Sequence, residues 1–328
     1  MLGYSEPLLE YAAVDAKDAD CDVIAIPMFG KDDLGDVIGA ASALARSTKS
    51  GEFDQLVGET LLIAGDEVSW QTKRILLVSA EAETRTPEDG LRTAAAIAAR
   101  YAVRHKTGVL GFVCRGDCTT ISGTQAVAEG LLLGGFEDRR YRTVTSDKVV
   151  TTNFLVIGNG LDDSDGRLGV ERGSIFGASA NMARLFTNEP GNLLPPNEFA
   201  LRASDLVRDA DIDAEILDEK EISRLGMGLL LGVASGSTQA PRVLVMRNSA
   251  RLESGERMLA FVGKGVTFDS GGLSLKTPAG MEIMKRDMAG GAAVIGAMRA
   301  IGLIGLDRPV LGIVPMTENM PSGMAIRP

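Results

Sequence analysis

Short apolar runs rich in β-branched residues alternate with helical stretches along this chain. That alternation confines it to an α/β fold with a mostly parallel sheet. In the first half, CDVIAIPMF (21–29), RILLVSA (74–80), VLGFVC (109–114) and NFLVIGNG (153–160) read as strands. Between them, TPEDGLRTAAAIAARYAVRHK (86–106) opens with Thr86-Pro87-Glu88-Asp89. That is an N-cap, a proline at the first helical position and early acids, ahead of an Ala-rich helix. TQAVAEGLLLGGF (124–136) reads as a second helix ending at a Gly pair.

GLDDSDGRLGVERG (160–173) is polar and Gly-rich without apolar periodicity, which predicts an inter-domain linker. It separates residues 1–165 from residues 174–328, and a chain of 328 residues at roughly 150 per domain is expected to form two domains. Beyond it a helix over 174–189 stops at Pro190-Gly191, and Pro195-Pro196 forces an extended loop before a helix near 197–209. Strands are predicted at 214–218, 243–248, 258–265 and 309–316, with a helix over 281–302.

The net charge of −10 and a pI of about 4.8 give the chain no bulk attraction for phosphate backbones or anionic membranes. Nucleic acid as a general partner is argued against on that ground. Cys21, Cys114 and Cys118 are too few and too unevenly spaced for a disulfide framework or a thiolate zinc site, and read as free thiols. No basic segment followed by an apolar one opens the chain, and no apolar run reaches the roughly 18 residues that span a bilayer. The expected location is the reducing cytoplasm.

The stretch that carries chemistry is GKGVTFDSGGLSLKTPAGMEIMKRDMAGG (263–291). It sets Lys264, Asp269, Lys276 and Asp287 in one strand–loop–helix unit, with Lys264 where the strand should end and Asp269 in the loop. GKG is not the phosphate-binding G-x-x-x-x-G-K-[ST] loop, and no G-x-S-x-G elbow occurs. The sole histidine, His105, ends a helix in the other half and reads as a surface residue. Oxygen-ligand metal chemistry with lysine assistance remains. Carboxylates suit hard or borderline divalent ions, and a protonated lysine stabilises a developing oxyanion. Each residue also has a plain structural reading: a turn cap for Asp269, a helix-dipole partner for Asp287, surface for Lys276 and core for Met284. Glu282 and Glu318 read as structural or solvated.

VGKGVTFDSGGLSLK followed by MEIMKRDMAGGAA closely resembles the signature region of the leucyl (cytosol) aminopeptidase family. NEPGNLLPPNEFA (188–200), LGMGLLLGVASGSTQAPRVLVM (225–246) and TENMPSGMAIRP (317–328) resemble further segments of that family, while the first half is looser. The resemblance implies an N-terminal α/β domain of the macro type, followed by an incomplete α/β aminopeptidase domain with a mixed sheet. It implies a homohexamer acting on peptides with two divalent ions, Zn or Mn.

Residue by residue, the resemblance implies that Lys264 binds one metal through its amine and that Asp269 is shared by both. Asp287 would sit on the first metal near the substrate's amino group. Lys276 would polarise the scissile carbonyl, and Met284 would line the pocket for the first side chain. An N-T-D-A-E-G-R-L motif supplies further ligands in the family some tens of residues after R-P, whereas here Arg327-Pro328 are the last residues. The chain is therefore expected to hold metal poorly and to show little aminopeptidase activity, with Lys264 paired to Asp269 or Asp287 as an ammonium. A non-catalytic binding or architectural protein on the same fold is the alternative, and metal content separates the two.

Overall fold

The computed structural model describes residues 6–30, 34, 56, 58–64, 70–80, 86–141, 152–158, 163–251 and 257–322. The chain forms two compact units, Met1–Ala178 and Ser179–Pro328. Among the described residues, no helix is long and apolar enough to cross a membrane.

The first unit is built on strands β1 (Leu9–Ala12), β2 (Val23–Met28), β3 (Thr60–Ala64), β4 (Arg74–Ser79), β5 (Val109–Val113) and β6 (Asn153–Ile157). Their order is β1-β6-β5-β2-β4-β3, and every pairing is parallel except β3 with β4. β2 is buried on both faces, as a central parallel strand must be when both sides of the sheet are covered. Helices α1 (Pro87–Arg104) and α2 (Ile121–Gly134) cover one face. Thr86 caps α1 by accepting from the Asp89 N–H at 3.4 Å, with Pro87 at the first position as the sequence predicts. The two helices meet backbone to backbone: a Cβ at Gly130 would lie 2.3 Å from the Arg92 carbonyl oxygen.

The stretch read as a linker is helical. α3 runs unbroken over Asp163–Asn188, and the boundary between the units falls inside it. Gly166, Gly169, Gly173 and Gly177 recur at helical spacing. A Cβ at Gly166 would lie 2.2 Å from the Tyr11 ring, and at Gly169 or Gly173 it would lie 2.7 or 2.5 Å from carbonyl oxygens of α2. The packed stripe in the first half of this helix is glycine, so no apolar periodicity betrays it there, whereas the second half is the helix expected over 174–189. Residues 160–162 of that stretch, and 323–328 at the other end, lie outside the described residues.

The second unit holds a mixed sheet of β7 (Ile212–Leu217), β8 (Arg242–Asn248), β9 (Leu259–Val262), β10 (Gly265–Asp269) and β11 (Val310–Asn319). β11 runs parallel to β9 and β10 and antiparallel to β8, which is antiparallel to β7. β9 and β10 lie along the same edge of β11 in continuous register, Val262 opposite Ile313 and Gly265 opposite Met316. They are one strand interrupted at Gly263-Lys264. Helices α4 (Pro196–Arg208) and α8 (Ala289–Leu303) bury Phe199, Val207, Ile295 and Met298 against one face of the sheet. The short α5 (Glu219–Arg224) and α6 (Gly228–Ala234) cover the other face more thinly, leaving Leu229 exposed. The helix predicted over 281–302 is broken: α7 (Pro278–Glu282), a single turn at Met284–Arg286, and then α8.

Candidate metal centre

β10 and β11 are parallel and end side by side, with Asp269 opposite Asn319. The carboxyl ends of strands in such sheets face ligands. Asp269 is therefore the last residue of a strand and not a loop residue as the sequence suggests. The Ser270 N–H and hydroxyl both donate to the Asn319 carbonyl, at 2.9 and 2.7 Å. Gly271 and Gly272 then adopt φ of +90° and +65°, a conformation only glycine takes without strain. A Cβ at Gly271 would fall 2.3 Å from the Ser274 carbonyl oxygen. The Lys276 N–H closes the loop onto the Ser270 carbonyl at 2.9 Å and brings its side chain back to Asp269.

Both carboxylate oxygens of Asp269 accept hydrogen bonds. Its Oδ1 accepts from the Gly271 N–H at 2.9 Å and from Asn319 Nδ2 at 2.8 Å, while Oδ2 accepts from Lys276 Nζ. Burial alone would raise its pKa. The hydrogen bonds from Lys276, Gly271 and Asn319, with the charge of Lys276, together outweigh burial and hold the carboxyl below its usual value.

Lys264 lies at the break between β9 and β10, and close backbone packing fixes it there. The Gly291 N–H, in the first turn of α8, donates to the Lys264 carbonyl at 2.7 Å. A Cβ at Gly263 would lie 2.4 Å from the Gly290 carbonyl oxygen, and one at Gly291 would lie 2.6 Å from Val314. Only glycines allow this approach. Asp287 sits two residues before α8, and Lys264 Nζ lies 2.8 Å from its Oδ2. That contact is an ion pair whose geometry is not that of a hydrogen bond, so the buried Oδ2 has charge neutralisation but no hydrogen-bond donor.

The structure thus sets the four charged residues in two pairs, Lys264 with Asp287 and Lys276 with Asp269. Lys276 is in direct contact with Asp269, because an ammonium beside a partly buried carboxylate is drawn into contact with it. Met284 begins the turn that packs against β10 and is half-buried, outside the apolar core, whereas its neighbour Met288 is fully buried in that core. Glu282 is exposed, but Glu318 is wholly buried and accepts from the Ser237 hydroxyl at 2.6 Å. His105 caps the end of α1, exposed and stacked on Tyr101. All three cysteines are free and buried. Sequence reasoning missed Asn319. Its place in the E-N-M segment was visible, but nothing in the sequence pairs it with Asp269 fifty residues away.

Carboxylates and a neutral lysine amine are donor types that fit a hard or borderline divalent ion. A buried carboxylate oxygen without a hydrogen-bond donor, Asp287 Oδ2, fits the same role. Among the described residues, no group of three or more His, Cys, Asp and Glu side chains gathers at one point, so any ion held here relies on Lys264 as well.

Comparison with known proteins places both halves of the chain in one family. The N-terminal domain of the cytosol aminopeptidase family matches residues 34–145, and the catalytic domain of that family matches residues 181–328. A probable cytosol aminopeptidase of Solibacter usitatus is 37% identical over 310 residues, covering 94% of this chain and 62% of its own length. Its counterpart in Alkaliphilus metalliredigens is 37% identical over 283 residues, covering 84% and 56%. Among solved structures, a mutant of tomato leucine aminopeptidase superposes with a TM-score of 0.81 at 25% identity, covering 99% of this chain and 65% of that one. The bottromycin maturation enzyme BotP in complex with Mn gives 0.75 at 29% identity, covering 94% and 62%. The chain thus spans about three-fifths of the length of these relatives. With both of its domains matched by the two halves of this chain, the cytosol aminopeptidase family is the family to which the chain belongs.

Proposed function

We propose that this chain supplies metal ligands and a carbonyl-polarising lysine to a metal-dependent aminopeptidase, one that hydrolyses the N-terminal bond of peptides. The observation that carries this reading is the pair of lysine–aspartate contacts at the end of β10 and the start of α8, with the Asp287 oxygen buried and without a hydrogen-bond donor. Lys264, Asp269 and Asp287 would hold two divalent ions, Zn or Mn, with Asp269 shared. Such ions, when bound, supply Lewis acidity and a nucleophile at neutral pH. Asp287 offers its negative charge to the free amino group of a peptide. Lys276 leaves Asp269 to meet the scissile carbonyl, where its ammonium stabilises the developing oxyanion. Met284 lines the pocket for the first side chain. A cytoplasmic homohexamer belongs to the same proposal.

Metal affinity depends on ligand number and charge. Equilibrium dialysis against Mn²⁺ tests the site directly. The chain should bind Mn²⁺, and Asp269→Asn should weaken binding by about tenfold or more. No binding at millimolar Mn²⁺, or equal binding by the variant, would overturn the assignment.

A further inference from the structure

A carboxylate oxygen has about two lone-pair directions. Both directions of Asp269 Oδ1 are filled, by the Gly271 N–H at 2.9 Å and by Asn319 Nδ2 at 2.8 Å. Oδ2 carries a single donor, Lys276 Nζ. The two oxygens of one carboxylate therefore have different work: one is anchored by groups that cannot move away, and the other is held by a flexible lysine.

The anchor is built into the fold. Asp269 and Asn319 are register partners at the ends of two parallel strands, and the Ser270 N–H continues that pairing to the Asn319 carbonyl at 2.9 Å. On its other side the Asn319 amide is closely approached by the loop: a Cβ at Gly272 would fall 2.7 Å from Oδ1 of Asn319. Gly272, at φ +65°, leaves the room that this amide occupies. An amide at the opposite end of β11 shows the contrast. Asn248 donates to the carbonyls of Leu306 and Arg308 and accepts from the Val310 N–H, all backbone groups, and so clamps the turn into β11 without touching a carboxylate.

We infer that Asn319 is a positioning residue: with the Gly271 N–H it saturates Asp269 Oδ1 and turns Oδ2 toward the cation, so that Asp269 presents one oxygen and not two. The inference rests on the proposal that Asp269 is a metal ligand. It predicts that a side chain which never touches the ion sets its affinity. Partners of metal ligands that act in this way change affinity by about 10–100-fold.

The experiment measures Mn²⁺ binding by equilibrium dialysis, the electron paramagnetic resonance spectrum of the bound ion, and the thermal melt of each protein. The proteins are the chain itself, Asn319→Ala, the near-isosteric Asn319→Leu, and Asn248→Ala. Both Asn319 variants should bind Mn²⁺ about tenfold or more weakly and change the spectrum of the bound ion. Asn248→Ala should lower the melting temperature and leave Mn²⁺ affinity unchanged. Affinity and spectrum within twofold of the parent in a folded Asn319 variant would overturn the inference and leave the metal site standing. An equal loss of affinity in Asn248→Ala would also overturn it, since general loosening would then explain the effect. If the parent chain binds no Mn²⁺, the underlying reading fails and the inference with it.

Discussion

The ends of two parallel strand pairs, one in each unit, share a backbone plan and differ in side chains. In the first unit β5 and β6 end with Val113 opposite Ile157, and the following Cys114 N–H donates to the Ile157 carbonyl at 2.8 Å. In the second, β10 and β11 end with Asp269 opposite Asn319, and the following Ser270 N–H donates to the Asn319 carbonyl at 2.9 Å. Val113, Ile157 and Cys114 are buried apolar groups, whereas Asp269, Asn319 and Ser270 exchange hydrogen bonds around a carboxylate. A parallel pair creates the end that faces ligands, but residue chemistry decides whether it is a site or another piece of core.

Exchanging the chemistries should break the first of these ends. Val113→Asp places a carboxylate without a partner in a position 1% exposed, which should cost at least about 4 kcal/mol and abolish cooperative unfolding of the first unit in urea. A variant as stable as the parent would show that this end is open to water.

Two glycines sharpen the comparison at intermediate cost. Gly130→Ala would press on the Arg92 carbonyl in the first unit, and Gly291→Ala would press on Val314 and the Lys264 carbonyl in the second. Each should cost about 1–3 kcal/mol in denaturant titrations. Only Gly291→Ala should also weaken Mn²⁺ binding, because only it displaces a proposed ligand. Equal affinities in the two variants would detach the glycine packing from the site.

The smallest effect concerns the thiols. Burial, followed by the charges of Asp20 and Asp22, pushes the Cys21 thiol up to about 11. At pH 8 roughly one Cys21 in a thousand is then a thiolate. Burial also raises Cys118 well above its ordinary value. Iodoacetamide at pH 8 should label no cysteine in the native protein and all three in urea, read by mass spectrometry. Rapid native labelling of Cys114 would show that the end of β5 opens to solvent.

What was legible in the sequence follows the same physics. Strands buried on both faces, such as Val23–Met28, announce themselves as apolar runs, and Thr86-Pro87 marks the start of α1. β3 is largely exposed and β1 has four residues, so neither carries a clear pattern. The second half of α3 was read as a helix from 174, but its first half was hidden because the packed face there is glycine, a residue that usually signals a loop. Lys264, Asp269, Lys276 and Asp287 were legible because they fall within one short segment. Asn319 was not, since its importance exists only in the pairing of β10 with β11.

The break between β9 and β10 has a mechanical consequence. Lys264 is tied by its carbonyl to the first turn of α8, and Asp287 is attached to the same helix by two residues of chain. Gly263 and Gly265, on either side of Lys264, are paired to Ile313 and Met316, so Lys264 stays with the sheet as Asp269 and Asn319 do, and only Asp287 travels with the helix start. Sliding of α8 along the sheet would therefore stretch the contact between Lys264 and Asp287 and leave that between Lys276 and Asp269 intact.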